Sequence, residues 1–176
     1  MKASLKRDTA ETSIEVSLNT KGTGICEQES GVQLLDQLLR TLASEAGFDL
    51  KVKASGDLKT GDHHTVEDVG ITLGCVLARL AEKGIGMAIV PCGESLAIAS
   101  VRFGEPGYTG RFCLDSRDLE GMQLENLGHF FRSLAYNGRF TLHLSAEGGD
   151  DVQKIDAMSA ALGFALSQAL SGRKKE

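Results

Sequence analysis

Leu34, Leu35, Leu38, Leu39 and Leu42 recur at the spacing of a single helical face, and Gly47 stands where a left-handed residue would end that helix. The period then drops from 3.6 to 2. Phe48, Leu50, Val52 and Ala54 alternate with Asp49, Lys51 and Lys53, which predicts a strand with one buried face. Gly56 to Asp62 reads as a polar loop. Beyond it, Val66, Ile71, Leu73, Val76, Leu77 and Leu80 return to helical spacing and predict a second helix from about His63 to Leu80. The unit is therefore helix, strand, loop, helix.

The same unit occurs again. Leu35 to Ala43 aligns with Leu127 to Ala135 at an offset of 92 residues, and the same offset pairs Phe48 and Leu50 with Phe140 and Leu142. After a three-residue shortening of the loop, Glu67, Leu73 and Leu77 pair with Asp156, Leu162 and Leu166. The second unit predicts a strand from Arg139 to Ser145 and a helix from Asp151 to Leu170. Further strands are expected at Ser13 to Leu18, Met87 to Val90, Ser95 to Phe103 and Gly110 to Leu114. The expected fold class is α+β: an internally duplicated two-layer sandwich, sheet on one face and helices on the other. Its halves are residues 1–86 and 87–176, joined in one structural unit.

Composition narrows the functional classes. A chain of 176 residues with 41% hydrophobic and 24% charged positions can bury a real core. No apolar run approaches the ~20 residues of a membrane span, so no membrane association is expected. Met1 to Glu15 lacks the apolar segment of a secretory signal, which points to a cytoplasmic protein. Cys26, Cys75, Cys92 and Cys113 form no C-x-x-C pair and read as reduced, mostly buried structural thiols. A net charge of −5, with only the short basic tail Arg173-Lys174-Lys175, gives no surface for nucleic acid.

Candidate chemistry centres on the histidines. In Asp62-His63-His64-Thr65-Val66-Glu67-Asp68, Glu67 lies one helical turn from both imidazoles, while the two histidines diverge by ~100° around the axis. Imidazole nitrogen with carboxylate oxygen suits a divalent metal ion, with further ligands from elsewhere. The plain alternative is a helix start rich in Asp and Thr with solvated histidines. His129 occupies, in the second unit, the position of Gln37 in the first. His143, between Leu142 and Leu144, reads as structural or solvated.

Leu35-Asp36-Gln37, the Asp62 to Asp68 cassette, His129-Phe130-Phe131-Arg132 and Thr141-Leu142-His143 together resemble the imidazoleglycerol-phosphate dehydratase family of histidine biosynthesis. Arg7 and Glu11-Thr12 are similar to that family's first strand. The resemblance implies a duplicated, ribosomal-protein-S5-domain-2-like fold, manganese ions at subunit interfaces, and trimers that assemble into a 24-subunit shell. It implies a hydro-lyase that dehydrates imidazole glycerol phosphate, a small-molecule substrate. By that resemblance His63, His64, Glu67 and His129 are metal ligands, Glu67 and Glu11 are catalytic, and Glu11 and Asp62 contact substrate.

The departures from the family pattern concern the same chemistry. Gln37 replaces a helix histidine, and Val152-Gln153-Lys154-Ile155-Asp156 stands where the family repeats its HHxxE motif, so four of eight ligands are lost. Family arginines that bind phosphate are also absent. The first such segment reads Lys83-Gly84-Ile85-Gly86-Met87 and the second Phe103-Gly104-Glu105-Pro106, which puts a carboxylate in the phosphate region. The expectation is a dehydratase-like protein with a degenerate active site and one manganese site or none. The alternatives are a metal-binding or scaffold paralogue without catalysis, or a lyase acting on a different substrate.

Overall fold

Both repeats fold to the same topology. The computed structural model describes residues 1–56 and 61–171; most of the loop expected from Gly56 to Asp62 and the tail Arg173-Lys174-Lys175 lie outside the described residues. The first repeat comprises β1 (Lys2–Asp8), β2 (Thr12–Asn19), β3 (Cys26–Glu29), α1 (Gln33–Ala46), β4 (Asp49–Gly56) and α2 (His63–Leu80). In the second are β5 (Ile85–Cys92), β6 (Ser95–Phe103), β7 (Gly107–Arg111), the short hairpin β8 (Asp118–Leu119) and β9 (Met122–Gln123), α3 (Glu125–Gly138), β10 (Phe140–Glu147) and α4 (Asp151–Ser171).

The strand orders are β1-β2-β4-β3 and β5-β6-β10-β7. Pairing is antiparallel except for β3 on β4 and β7 on β10, which are parallel in both sheets. Each sheet turns its apolar positions inward, Ile14, Val16, Leu50 and Val52 in the first, Ala99, Val101, Leu142 and Leu144 in the second. Each such buried leucine or valine contributes about 1.5–3 kcal/mol relative to exposure. The duplicated α+β sandwich is thus observed. In the whole chain the helices lie between the sheets.

The helices pair crosswise between repeats. α2 lies on β1 and β2 but packs most closely on α3, and α4 lies on β5 and β6 but packs on α1. Glycines make both crossings possible. A Cβ on Gly74 would sit 2.6 Å from the carbonyl oxygen of Leu134, and one on Gly163 would sit 2.5 Å from that of Leu42. These two contacts are equivalent under the repeat.

Helix ends follow the repeat as well. Gly47 ends α1 at φ 67°, and its counterpart Arg139 ends α3 at φ 55°, a left-handed conformation that favours glycine.

Some elements differ from expectation. β7 begins three residues before the expected Gly110, because its partner in the ladder is the first half of β10, and Phe112 then turns inward against Phe131 with ring centroids 6.2 Å apart. β1 was hidden in the charged N-terminal segment. All four cysteines are free as expected, but Cys26, Cys75 and Cys92 are only half-buried and Cys113 is exposed. Burial pushes the Cys26 thiol up to about 11.

Candidate functional site

Asp62 and α2 set the geometry of the cassette. Asp62 is buried at the helix start, where its Oδ2 accepts from the backbone N–H of Gln123 at 3.2 Å and from Asn126 Nδ2 at 3.0 Å. Because the carboxylate takes the amide hydrogens, Asn126 must present its oxygen to His63. That oxygen lies 2.9 Å from His63 Nδ1. Nδ1 therefore carries the hydrogen, and in the neutral ring Nε2 is left with its lone pair, 3.5 Å from Glu67 Oε2. A lone pair and a carboxylate oxygen facing each other need a proton or a cation between them. The other Glu67 oxygen accepts from Ser133 Oγ at 3.2 Å. His129 completes the cluster, its ring centroid 4.9 Å from that of His63.

His64 points elsewhere, as its position on the helix requires. Its Nδ1 is 3.0 Å from Glu11 Oε2. Glu11 lies in the turn between β1 and β2, and Asp68 holds that turn against α2: one carboxylate oxygen pairs with Arg7 at 2.7 Å and the other accepts from the Thr12 hydroxyl. The expected site residues are thereby divided. His63, Glu67 and His129 form one group, His64 and Glu11 a second beside it, and Asp62 supports the first from below.

The equivalent site between α1 and α4 builds the same framework from other side chains. Gln37 Nε2 donates to Asp156 Oδ1 at 2.9 Å, where the repeat sets His129 beside Glu67. Val152 is exposed and has no donor atom to offer a metal. Gln153, in the place of His64, accepts from the backbone N–H of Glu94 at 3.2 Å. Asp151 is the counterpart of Asp62 and likewise receives backbone N–H groups, from Asp115 at 2.9 Å and Ser116 at 2.7 Å.

The two halves fit a metal ion differently. Imidazole and carboxylate at His63, Glu67 and His129 are suitable donors for a divalent ion. Among the described residues, however, no three His, Cys, Asp or Glu side chains converge as a ligand set within one chain. His63, His64, Glu67 and Glu11 are between 37% and 60% exposed, so ligands from outside the chain can reach them. The second half does not fit: a hydrogen-bonded amide, a valine and a hairpin-bound glutamine are poor ligands.

The two segments that depart from the family's phosphate pattern come together. Lys83 to Met87 and Phe103 to Glu105 line one open groove of about 1280 Å³ on the outer side of the second sheet. Arg102 and His143, neither of them singled out for this role by the sequence, line it too.

An internally duplicated α+β sandwich with an exposed histidine–carboxylate cluster between α2 and α3 defines a narrow class of protein. Residues 30–166 match the family model for imidazoleglycerol-phosphate dehydratase, and the chain belongs to that family. The chain is 42% identical to imidazoleglycerol-phosphate dehydratase of Desulforudis audaxviator, covering 96% of this chain and 89% of that one. With the enzyme of Methanococcus maripaludis it shares 37% identity, over 94% and 89% of the two chains. Its fold is similar to the crystal structure of the Staphylococcus aureus enzyme, with TM-score 0.82, 26% identity and coverage of 96% and 98%. The Pyrococcus furiosus enzyme gives TM-score 0.77 at 33% identity, with coverage of 94% and 93%. Among the described residues no helix is long and apolar enough to cross a membrane.

Proposed function

We propose that this chain is an imidazoleglycerol-phosphate dehydratase-like protein of histidine biosynthesis, in the cytoplasm, whose active site is degenerate: one half-site is retained and the other has become structural. The observation that carries this reading is the Gln37 to Asp156 hydrogen bond of 2.9 Å at the place equivalent to His129 and Glu67. An amide donor satisfied by a carboxylate joins α1 to α4 without a metal.

In the retained half, His63, Glu67 and His129 would hold manganese from one side and His64, which points away from them, would hold it from a neighbouring subunit, so that each subunit binds one ion rather than two. When bound, the ion would supply Lewis-acid polarisation of the substrate ring. Glu11, exposed and held by His64, would take a proton from substrate, and Glu67 would serve both as ligand and as a catalytic carboxylate. Asp62 has Oδ2 engaged by Gln123 and Asn126, and Oδ1, without a partner among the described residues, is the atom that would meet substrate. A second reading, a scaffold without catalysis, is favoured by the tie between Gln153 and Glu94.

Self-association, as a trimer or a larger shell, belongs to the same proposal. Ile89, Leu96 and Ile98 are exposed on the outer face of the second sheet, whereas the outer face of the first carries the ion pairs Lys51–Glu27 and Lys53–Glu29. An apolar patch on one of two equivalent faces supports a protein contact there.

Elemental analysis of the purified protein, beside a His64→Ala variant and an assay of imidazole glycerol phosphate dehydration, tests the reading. One manganese per subunit, lost in the variant, supports it. Two per subunit with full activity would overturn the degenerate site, and no metal with no activity would establish the scaffold.

A further inference from the structure

His64 and Asp68 lie one turn apart on the same face of α2, and both reach the turn between β1 and β2. His64 Nδ1 is 3.0 Å from Glu11 Oε2. Asp68 grips the strands on either side of Glu11: Oδ1 pairs with Arg7 on β1 at 2.7 Å, and Oδ2 accepts from the hydroxyl of Thr12, the first residue of β2. Its side chain is only 14% exposed, so solvent and salt screen this pair far less than the exposed pairs Lys51–Glu27 and Lys53–Glu29. Within the turn, Thr9 ties the chain around Glu11. Its hydroxyl accepts from the Glu11 N–H at 3.2 Å and from the Thr12 N–H at 2.9 Å, and its own N–H donates to the Thr12 carbonyl at 2.8 Å.

The second repeat closes its equivalent hairpin without such a clamp. By strand register Ser95 is the counterpart of Thr12, since Leu18 faces Leu50 in the first sheet where Val101 faces Leu142 in the second. Ser95 gives its hydroxyl to the carbonyl of Gly148 at 2.8 Å. Ala157 stands in the place of Asp68, following Asp156 as Asp68 follows Glu67, and it is fully buried. The fold therefore needs no ion pair at this position. Sinking a carboxylate and a guanidinium into a helix–strand contact costs solvation that an apolar contact such as that of Ala157 avoids, and the cost is met only in the repeat that carries His63 and His64. On the reading of Glu11 as the carboxylate that takes the substrate's proton, we propose that Asp68 is a positioning residue: through Arg7 and Thr12 it sets the turn so that the Glu11 carboxylate stands at His64, and it acts on the reaction only through Glu11.

Steady-state dehydration of imidazole glycerol phosphate by the full-length, manganese-loaded protein tests it. Asp68→Ala should lower kcat by about 10–100-fold, the scale of a general base misplaced by about 1 Å, while KM and manganese content stay at their wild-type values. Asp68→Asn, which keeps an acceptor for the Thr12 hydroxyl, should recover part of the loss, and it carries the test where the alanine variant fails to fold. In a Glu11→Gln background Asp68→Ala should cost nothing further. Asp8→Asn, at an exposed carboxylate of the same hairpin, should leave kcat unchanged. An unchanged kcat in both Asp68 variants, a loss undiminished in the Glu11→Gln background, or a loss of manganese would overturn the proposal. A wild type that dehydrates nothing sinks the proposed function instead, and crystal structures of the wild type and the Asp68 variants then decide the clamp. Glu11 moved beyond hydrogen-bond distance of His64 Nδ1 in the variants upholds it, and an unmoved Glu11 overturns it.

Discussion

Asn126 decides which nitrogen of His63 carries a hydrogen, its side-chain oxygen lying 2.9 Å from Nδ1. The amide cannot turn over, because Asp62 already takes a hydrogen from its nitrogen at 3.0 Å. An outer partner of this kind orients a metal-ligating imidazole, and its loss typically costs about 10–100-fold in metal affinity. Asn126→Ala should therefore weaken manganese binding by about that factor in calorimetry, with the folded state confirmed by circular dichroism.

Gly74 and Gly163 are the points at which the crossed helices touch. Alanine at either must push a helix away from a carbonyl oxygen, and overpacking of this kind costs about 1–3 kcal/mol. Gly128 in α3 has open space where its Cβ would be. Gly128→Ala should stabilise by about 0.5–1 kcal/mol, because it only removes backbone freedom from the unfolded chain. Urea denaturation of the three variants measures both signs.

Arg139 holds a left-handed backbone at φ 55° where its counterpart in the first repeat is Gly47. Relief of the Cβ clash exceeds the entropy cost of a glycine, so Arg139→Gly should raise stability by about 0.5–1 kcal/mol. A raised urea midpoint with an unchanged slope would verify this.

Asp151 links the start of α4 to the segment that leads toward α3. Burial pushes its carboxyl upward, but the backbone N–H groups of Asp115 and Ser116, the Ser116 hydroxyl and the Lys154 ammonium together hold it below the usual aspartate range. A carboxyl lowered by folding contributes stability that is fully present above its unfolded value of ~3.9 and is lost as pH falls through its folded value. Asp151→Asn should cost about 1–3 kcal/mol at neutral pH. The difference from wild type should shrink in acid, as measured by denaturation at a series of pH values.

The repeat was legible because its evidence is hydrophobic spacing: α1, α2 and α4 and the strands β4, β6 and β10 each bury one regular face, and each was anticipated within about two residues. β1 and β3 escaped because they are sheet edges without a fully buried position, and β8 and β9 because two residues have no period. Comparing the repeats also showed that Gln37 and Asp156 stand for His129 and Glu67. Their hydrogen bond could not be read in the chain, since it depends on the crossing of α1 and α4. Asn126 and Ser133 are unremarkable polar residues in sequence, and only the packing of α3 on α2 makes them part of the site. Arg102 and His143 are likewise joined by strand register rather than by any motif.

The crosswise pairing of helices means that neither repeat owns a site. Glu67 and His63 come from the first repeat and His129 and Ser133 from the second, while Gln37 from the first meets Asp156 from the second. Damage is therefore inherited diagonally: a substitution in either repeat alters both composite sites only if it falls on the shared helix crossings, and otherwise spares one of them. This partition lets Gln37, Val152, Gln153 and Asp156 occupy one composite site while its twin holds His63, His64 and His129.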